Sequence, residues 1–281
     1  MLTAYIQGIG LVGPGLPAWQ SGARAIAGEE AYAPRPTTLP APEGLPSAER
    51  RRTGATVKLA LGAAQQAIAA AGVDPQGLPT VFSSSGADGL ICHEICETLA
   101  SADRQLSPTR FHNSVHNAAA GYWSLATGAT AASTALCAYD GSFAAGLLEA
   151  LALVTVDRTP VLLSAYETTY PEPLNAKRPL PDPFAVALVL TPTPAPNTRA
   201  KLTASLSATA AVAAVTATAA VAATATAVDR LAEPRLEALR TALPAARSLP
   251  LLRLLARREP GEVVLDYIGA QRVSVEVSEC R

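Results

Sequence analysis

Hydrophobic and polar positions change their period several times along the chain. Thr3 to Ile9 alternates well enough for a half-buried strand, which Gly10, Gly13, Pro14 and Gly15 are expected to end. Pro34 to Pro46 is proline-rich and predicts a loop. Val57, Leu61, Ala64, Ile68 and Ala71 then recur at steps of three and four, which places them on one face of a helix. Gly72 supplies a left-handed stop, and Asp74-Pro75 begins the turn beyond it. Thr80 to Ser84 predicts a short buried strand, and Asp88 can cap a second helix through about Ala100. Ala131 to Ala138 reads as a strand, Gly141 to Val154 as a helix, and Pro160 to Ala165 and Phe184 to Leu190 as extended. Two more helices follow, near Glu233 to Thr241 and Ala246 to Arg257. Glu262 to Ile268 and Gln271 to Val277 then form a hairpin about Gly269-Ala270.

Strands alternating with helices, then two strands in succession, predict a sheet covered by helices, an α/β fold. One segment tests that expectation. Leu202 to Val228 carries no charge and exceeds the ~20 residues needed to span a bilayer. It is almost entirely Ala, Thr and Val, with no Leu, Ile or Phe after Leu206, so its insertion drive is weak. A strand running into a low-complexity connection is the expected form, without membrane insertion. The 22 basic and 23 acidic side chains leave a formal charge of -1, which argues against a nucleic-acid partner. Four cysteines in 281 residues do not make a disulfide scaffold, and the N-terminus lacks the basic stretch of a secretory signal. The expectation is a soluble cytoplasmic protein.

Four segments occur in order between Arg50 and Glu167: RRTGATVKLALGAAQQAIAAAGVDP, VFSSSGADG, SPTRFHNSVHNAAAGYWSLATG and STALCAYDGSFAAGLLEAL. Together they resemble the N-terminal half of a β-ketoacyl synthase of the thiolase fold. The first matches the family's Arg-rich lead into a helix ending Ala-Gly-x-Asp, and the second its strand and Gly-rich turn. The third matches the Pro-x-x-Phe and Asn-x-x-x-Asn-x-x-x-Gly segment, and the fourth sits where a synthase carries its nucleophile elbow. FHNSVHNAAAGYWS with a short C-terminal part more narrowly resembles the truncated synthase-like proteins of aryl polyene and related polyketide pathways, treated as chain-length factors. The resemblance implies a thiolase-like, layered α-β-α fold with a shortened C-terminal half. Residues 1–200 would be the ketosynthase-like half and 201–281 the truncated half that completes the fold. It also implies a heterodimer with a full-length ketosynthase, an acyl chain on an acyl carrier protein, and neither cofactor nor metal. Phe111, Asn113, Asn117, Tyr122, Trp123 and Cys137 are the residues it places at the substrate tunnel and subunit interface.

Decarboxylative condensation needs a thiolate to hold the acyl chain and donors, usually two histidines, for the developing enolate and oxyanion. In a synthase those histidines come from the C-terminal half. Here the three histidines, His93, His112 and His116, all precede Leu136, so that constellation is missing and no catalytic residue is assigned. Cys137 leaves three readings open: an inert thiol at a strand end, a thiol facing the acyl tunnel, or a nucleophile paired with His112 or His116. The last would make the chain a Cys-dependent acyltransferase or thioesterase. Matching glycines to the elbow pattern puts Ala138, three before Gly141, at the nucleophile position. Cys92, His93 and Cys96 lack the second ligand pair that structural zinc requires. Gly86 and Gly89 lack a phosphate-loop pattern, and Ser83, Ser84 and Ser85 lack the Gly-x-Ser-x-Gly of a hydrolase. Phe111, Tyr122 and Trp123 concentrate bulk in one segment, where a large side chain would stop a growing chain or simply fill the core. Arg50, Arg51 and Arg52 read as a solvated face, with steering of an acidic carrier protein as the alternative.

Overall fold

The computed structural model describes residues 1–208 and 227–279. The first strand, β1 (Leu2–Val12), runs through Gly10 and ends before Gly13, Pro14 and Gly15, as those three predict. It passes Gly10 because the helix α3 (Ala55–Ala71) lies directly on it. A Cβ on Gly8 would overlap the Ala67 carbonyl oxygen, and one on Gly10 the Ala63 carbonyl oxygen. The glycines therefore serve close backbone approach, and the alanines of α3 supply the matching thin face. Gly72, at φ 67, terminates α3 as its position predicts.

The remaining elements follow in chain order. Helices α1 (Trp19–Ala27) and α2 (Ser47–Arg52) precede α3, and β2 (Thr80–Ser83) follows it. Next come α4 (Gly89–Ala100), α5 (Pro108–Asn113), α6 (Ala118–Thr127), β3 (Ser133–Leu136) and α7 (Ser142–Asp157). Then β4 (Val161–Glu167), the short α8 (Leu174–Lys177), β5 (Phe184–Thr191) and β6 (Ala200–Ala208) appear. The chain closes with α9 (Pro234–Ala242), α10 (Leu249–Arg257), β7 (Gly261–Asp266) and β8 (Gln271–Ser278). Asp88 caps α4 by accepting from the Ile91 amide at 3.0 Å, and Glu233 caps α9 through the Leu236 amide at 2.6 Å.

The eight strands form one mixed sheet in the order β3-β2-β4-β5-β1-β6-β8-β7. β2 pairs parallel with β3 and β4, while β5 runs antiparallel between β4 and β1. The C-terminal hairpin β7–β8 joins through β6, extending the same sheet beyond β1. Alternate residues of β5 enter two cores. Ala185, Ala187 and Val189 pack under α3 and α6, while Val186, Leu188 and Leu190 join the core containing α7 and α10. Helices thus cover both faces, the layered α-β-α arrangement of a thiolase-like fold. The one described helix long and apolar enough to cross a membrane, Tyr139–Asp157, is half buried against this sheet as a core helix. Of the uncharged Leu202 to Val228 segment, the beginning is β6; the low-complexity part at 209–226 lies outside the described residues.

Candidate functional site

After Leu136 the chain turns from strand to helix through one 3-10 turn, Tyr139–Gly141, before α7 begins. Tyr139 has φ 50, a left-handed conformation rare for a bulky side chain. A residue held this way between a strand and a helix is the geometry of a nucleophile elbow. Ser142 pins the turn: its Oγ accepts from the Ala138 amide at 3.0 Å and donates to the Tyr139 carbonyl at 2.7 Å. Ser83 Oγ donates to the Ser142 carbonyl at 2.6 Å, fixing the turn to β2. Glycine spacing had pointed to Ala138, but the strained position is Tyr139, one residue later. Gly141 answers a different demand, because its Cα faces the backbone of Tyr267, where a Cβ would lie 2.8 Å from the carbonyl oxygen.

Tyr139 is 62% exposed, and the Arg178 guanidinium stacks over its ring at 3.7 Å. Asp140 accepts from Arg178 Nη2 at 2.8 Å and pairs with Arg247 Nη2 at 3.1 Å. Arg247 reaches on to Asp266 at 2.9 Å, which also lies 3.7 Å from Arg240 and 3.9 Å from Arg272. Burial disfavours the Arg178 charge, but the hydrogen bond and charge of Asp140 outweigh it and raise its pKa. The C-terminal part of the chain therefore meets the elbow with arginines and an aspartate. No cysteine or histidine stands at the strained position, which instead carries a phenol stacked under a guanidinium.

The other residues singled out by the sequence fall into separate places. Cys137 is exposed at the end of β3, and no hydrogen bond joins it to His112 or His116. His112, on α5, lies edge-on to the Tyr122 ring with centroids 6.1 Å apart. His116, in the turn after α5, lines a small cavity with Thr56, Asp88 and Tyr166, and its buried Nε2 has no hydrogen-bond partner among the described residues. Asn113 is buried and structural: it accepts from Tyr122 Oη at 3.0 Å and donates through Nδ2 to the Arg52 carbonyl at 2.8 Å. Phe111, His112, Asn117, Tyr122 and Leu125 line one open cleft of about 460 Å³, with Phe111 63% exposed. Trp123 is 1% exposed, packs on Phe82 with centroids 6.5 Å apart, and does not line that cleft.

Motifs set aside at the sequence level have structural work. Ser84 Oγ accepts from the Ala87 amide, while Ser85 donates through N and Oγ to the two oxygens of Glu167 at 2.6 and 2.8 Å. Gly86 and Gly89 make room for the Tyr170 ring. Among the described residues no group of three ligands suits a metal. Arg50, Arg51 and Arg52 form an exposed end of α2, with Arg52 paired to Glu49 at 3.0 Å. Sequence reasoning missed Glu167, buried at the end of β4. Burial drives its pKa to about 7 against the lowering effect of the two Ser85 hydrogen bonds. A lone Glu closing an apolar strand offered the only hint.

No sequence among curated proteins matches the chain. Among solved structures, a chain of the complex of the ketosynthase ApeO with its chain length factor ApeC from Xenorhabdus doucetiae superposes with a TM-score of 0.70. It is 22% identical over 98% of this chain and 100% of that one. A chain of the ishigamide ketosynthase/chain length factor gives 0.70 at 14% identity, over 99% and 100% of the two chains. A β-ketoacyl synthase from Burkholderia phymatum STM815 gives 0.68 at 13%, over the whole of both chains. At these identities the likeness is one of fold. The model of one protein family, "Beta-ketoacyl synthase, N-terminal domain", matches residues 19–248, from α1 to the turn before α10. The chain belongs to the β-ketoacyl synthase N-terminal domain family.

Proposed function

We propose that this chain is a chain-length-factor-type subunit, silent by itself, that pairs with a full-length ketosynthase in the cytoplasm. In this reading residues 1–200 form the ketosynthase-like half and 201–281 a shortened half that completes the fold. The pair would extend an acyl or polyene chain held on an acyl carrier protein, with aryl polyene synthesis the pathway the resemblance favours. One observation carries the proposal: the elbow presents Tyr139 at its strained position, clamped by Arg178 and Asp140, with no histidine anywhere after it. Thiolate capture and the usual oxyanion donors are thereby both removed.

The short edge strand β3 supports the pairing. Its outer edge has no neighbour among the described residues, and Phe111 and Leu125 on the helices that precede it, with Val115 in the turn between them, are exposed. An open edge beside apolar side chains favours another chain adding to the sheet. Sedimentation of the purified chain, alone and mixed with a ketosynthase from the same source, tests this. A tight one-to-one complex is the expected result, and a well-behaved monomer unchanged by the ketosynthase contradicts the proposal.

A further inference from the structure

A cleft of about 240 Å³ opens where the C-terminus of α10 meets the start of β6 and the end of β8. Leu254, Leu255, Pro260 and Val277 supply its apolar wall, and two arginines, Arg199 and Arg258, line it from separate parts of the chain. Arg258 follows α10 with φ 55, a left-handed conformation that glycine usually takes at this position. Strain accepted by a long side chain at a cleft points to a demand on that side chain. The chain itself does not meet the demand. Neither arginine forms an ion pair or a side-chain hydrogen bond among the described residues. Partial burial lowers the pKa of Arg199, and the charge of Arg258 lowers it further. Of the acids at the cleft, Glu259 turns to Arg257 at 3.8 Å, and Glu279 pairs with neither arginine among the described residues. Strand register puts the cleft at the end of the sheet opposite the elbow. Ala200 pairs with Ile6, Ile6 with Leu190, and Leu190 with Val161, the first residue of β4. The elbow instead comes after the last residue of β3, which runs parallel to β4 through β2.

Two like charges gathered at one cleft, one of them on a strained backbone, are relieved by an anion placed between them. Guanidinium forks arriving from two directions match a phosphoryl group, whose terminal oxygens accept several donors and whose charge is about −2. A carboxylate satisfies one fork and one charge. The cleft is smaller than the roughly 300 Å³ at which pockets begin to hold drug-sized ligands, so the organic part of its ligand is small. We infer that this cleft binds a small phosphate monoester, with Arg199 and Arg258 on the phosphoryl group and the organic part against Leu254 and Val277. The site lies away from the elbow and from β3, and it does not depend on the partner-subunit reading.

Titration calorimetry of the purified chain at fixed low salt tests this, with phenyl phosphate, inorganic phosphate and benzoate as probes. Phenyl phosphate should bind saturably at one site. Inorganic phosphate, which lacks a body for the apolar wall, should bind at least about fivefold more weakly. Benzoate should bind at least about tenfold more weakly, because it leaves one fork without an acceptor. Arg199→Gln should weaken phenyl phosphate binding by about tenfold or more, the loss of a charge-assisted hydrogen bond. Arg258→Gly should weaken it as much without lowering the melting temperature, since glycine takes the left-handed position freely. That pairing separates lost binding from lost folding. The inference is overturned if phenyl phosphate shows no saturable binding, or if benzoate or inorganic phosphate binds as tightly. It is likewise overturned if either arginine variant binds phenyl phosphate with unchanged affinity.

Discussion

Glu167 ties the protein's stability to pH through one side chain. Its folded pKa of about 7 lies above the ordinary value of 4.5, so between them the folded protein holds a proton that the unfolded chain has released. The contribution is full below about pH 4.5, is lost as pH rises through about 7, and amounts to about 3 kcal/mol. Glu167→Gln should therefore flatten the fall in melting temperature between pH 5 and pH 8; an unchanged fall would show the carboxyl to be irrelevant. Among the bulky residues, burial separates two roles. Trp123→Ala should cost about 3–5 kcal/mol in urea unfolding, with no change in the product lengths made by a partner ketosynthase. Phe111→Ala should cost no more than about 0.5 kcal/mol and lengthen those products. A length shift from Trp123→Ala instead would place the tunnel wall inside the α3–α6 core.

Between elements, the contact of β1 with α3 is the most demanding, because backbone meets backbone. Gly10→Ala forces a methyl onto the Ala63 carbonyl and should cost at least about 1–3 kcal/mol, read as a lower urea midpoint. A midpoint equal to that of the unaltered chain would mean that α3 can lift from the sheet. The same contact explains where the sequence misled. Gly10 carried a turn signal, although in β1 it serves packing against a helix that begins 45 residues later in the chain. Periodicity was strong enough to reveal α3, α7, β5 and the C-terminal hairpin. It did not reveal α1, α2, α5 or α6, which are short or apolar around much of their circumference. The predicted strand from Ala131 to Ala138 shrinks to Ser133–Leu136, because among the described residues only β2 pairs with it and the chain then turns into the elbow.

For the whole molecule, the family and the layered fold were legible in four local segments, whereas the character of the elbow was not. The motif located the turn, but Asp140, Arg178, Arg247 and Asp266 converge there from four parts of the chain, and no spacing rule links them. The missing histidines were legible outright. Together they make the central proposal a chemical one, that this chain does not carry the acyl group. It is tested most directly by intact mass of both subunits after incubating the complex with acyl and malonyl carrier proteins. The account predicts an acyl adduct on the ketosynthase and none on this chain, and no condensation by this chain alone. An acyl adduct on this chain that Cys137→Ala abolishes would contradict it.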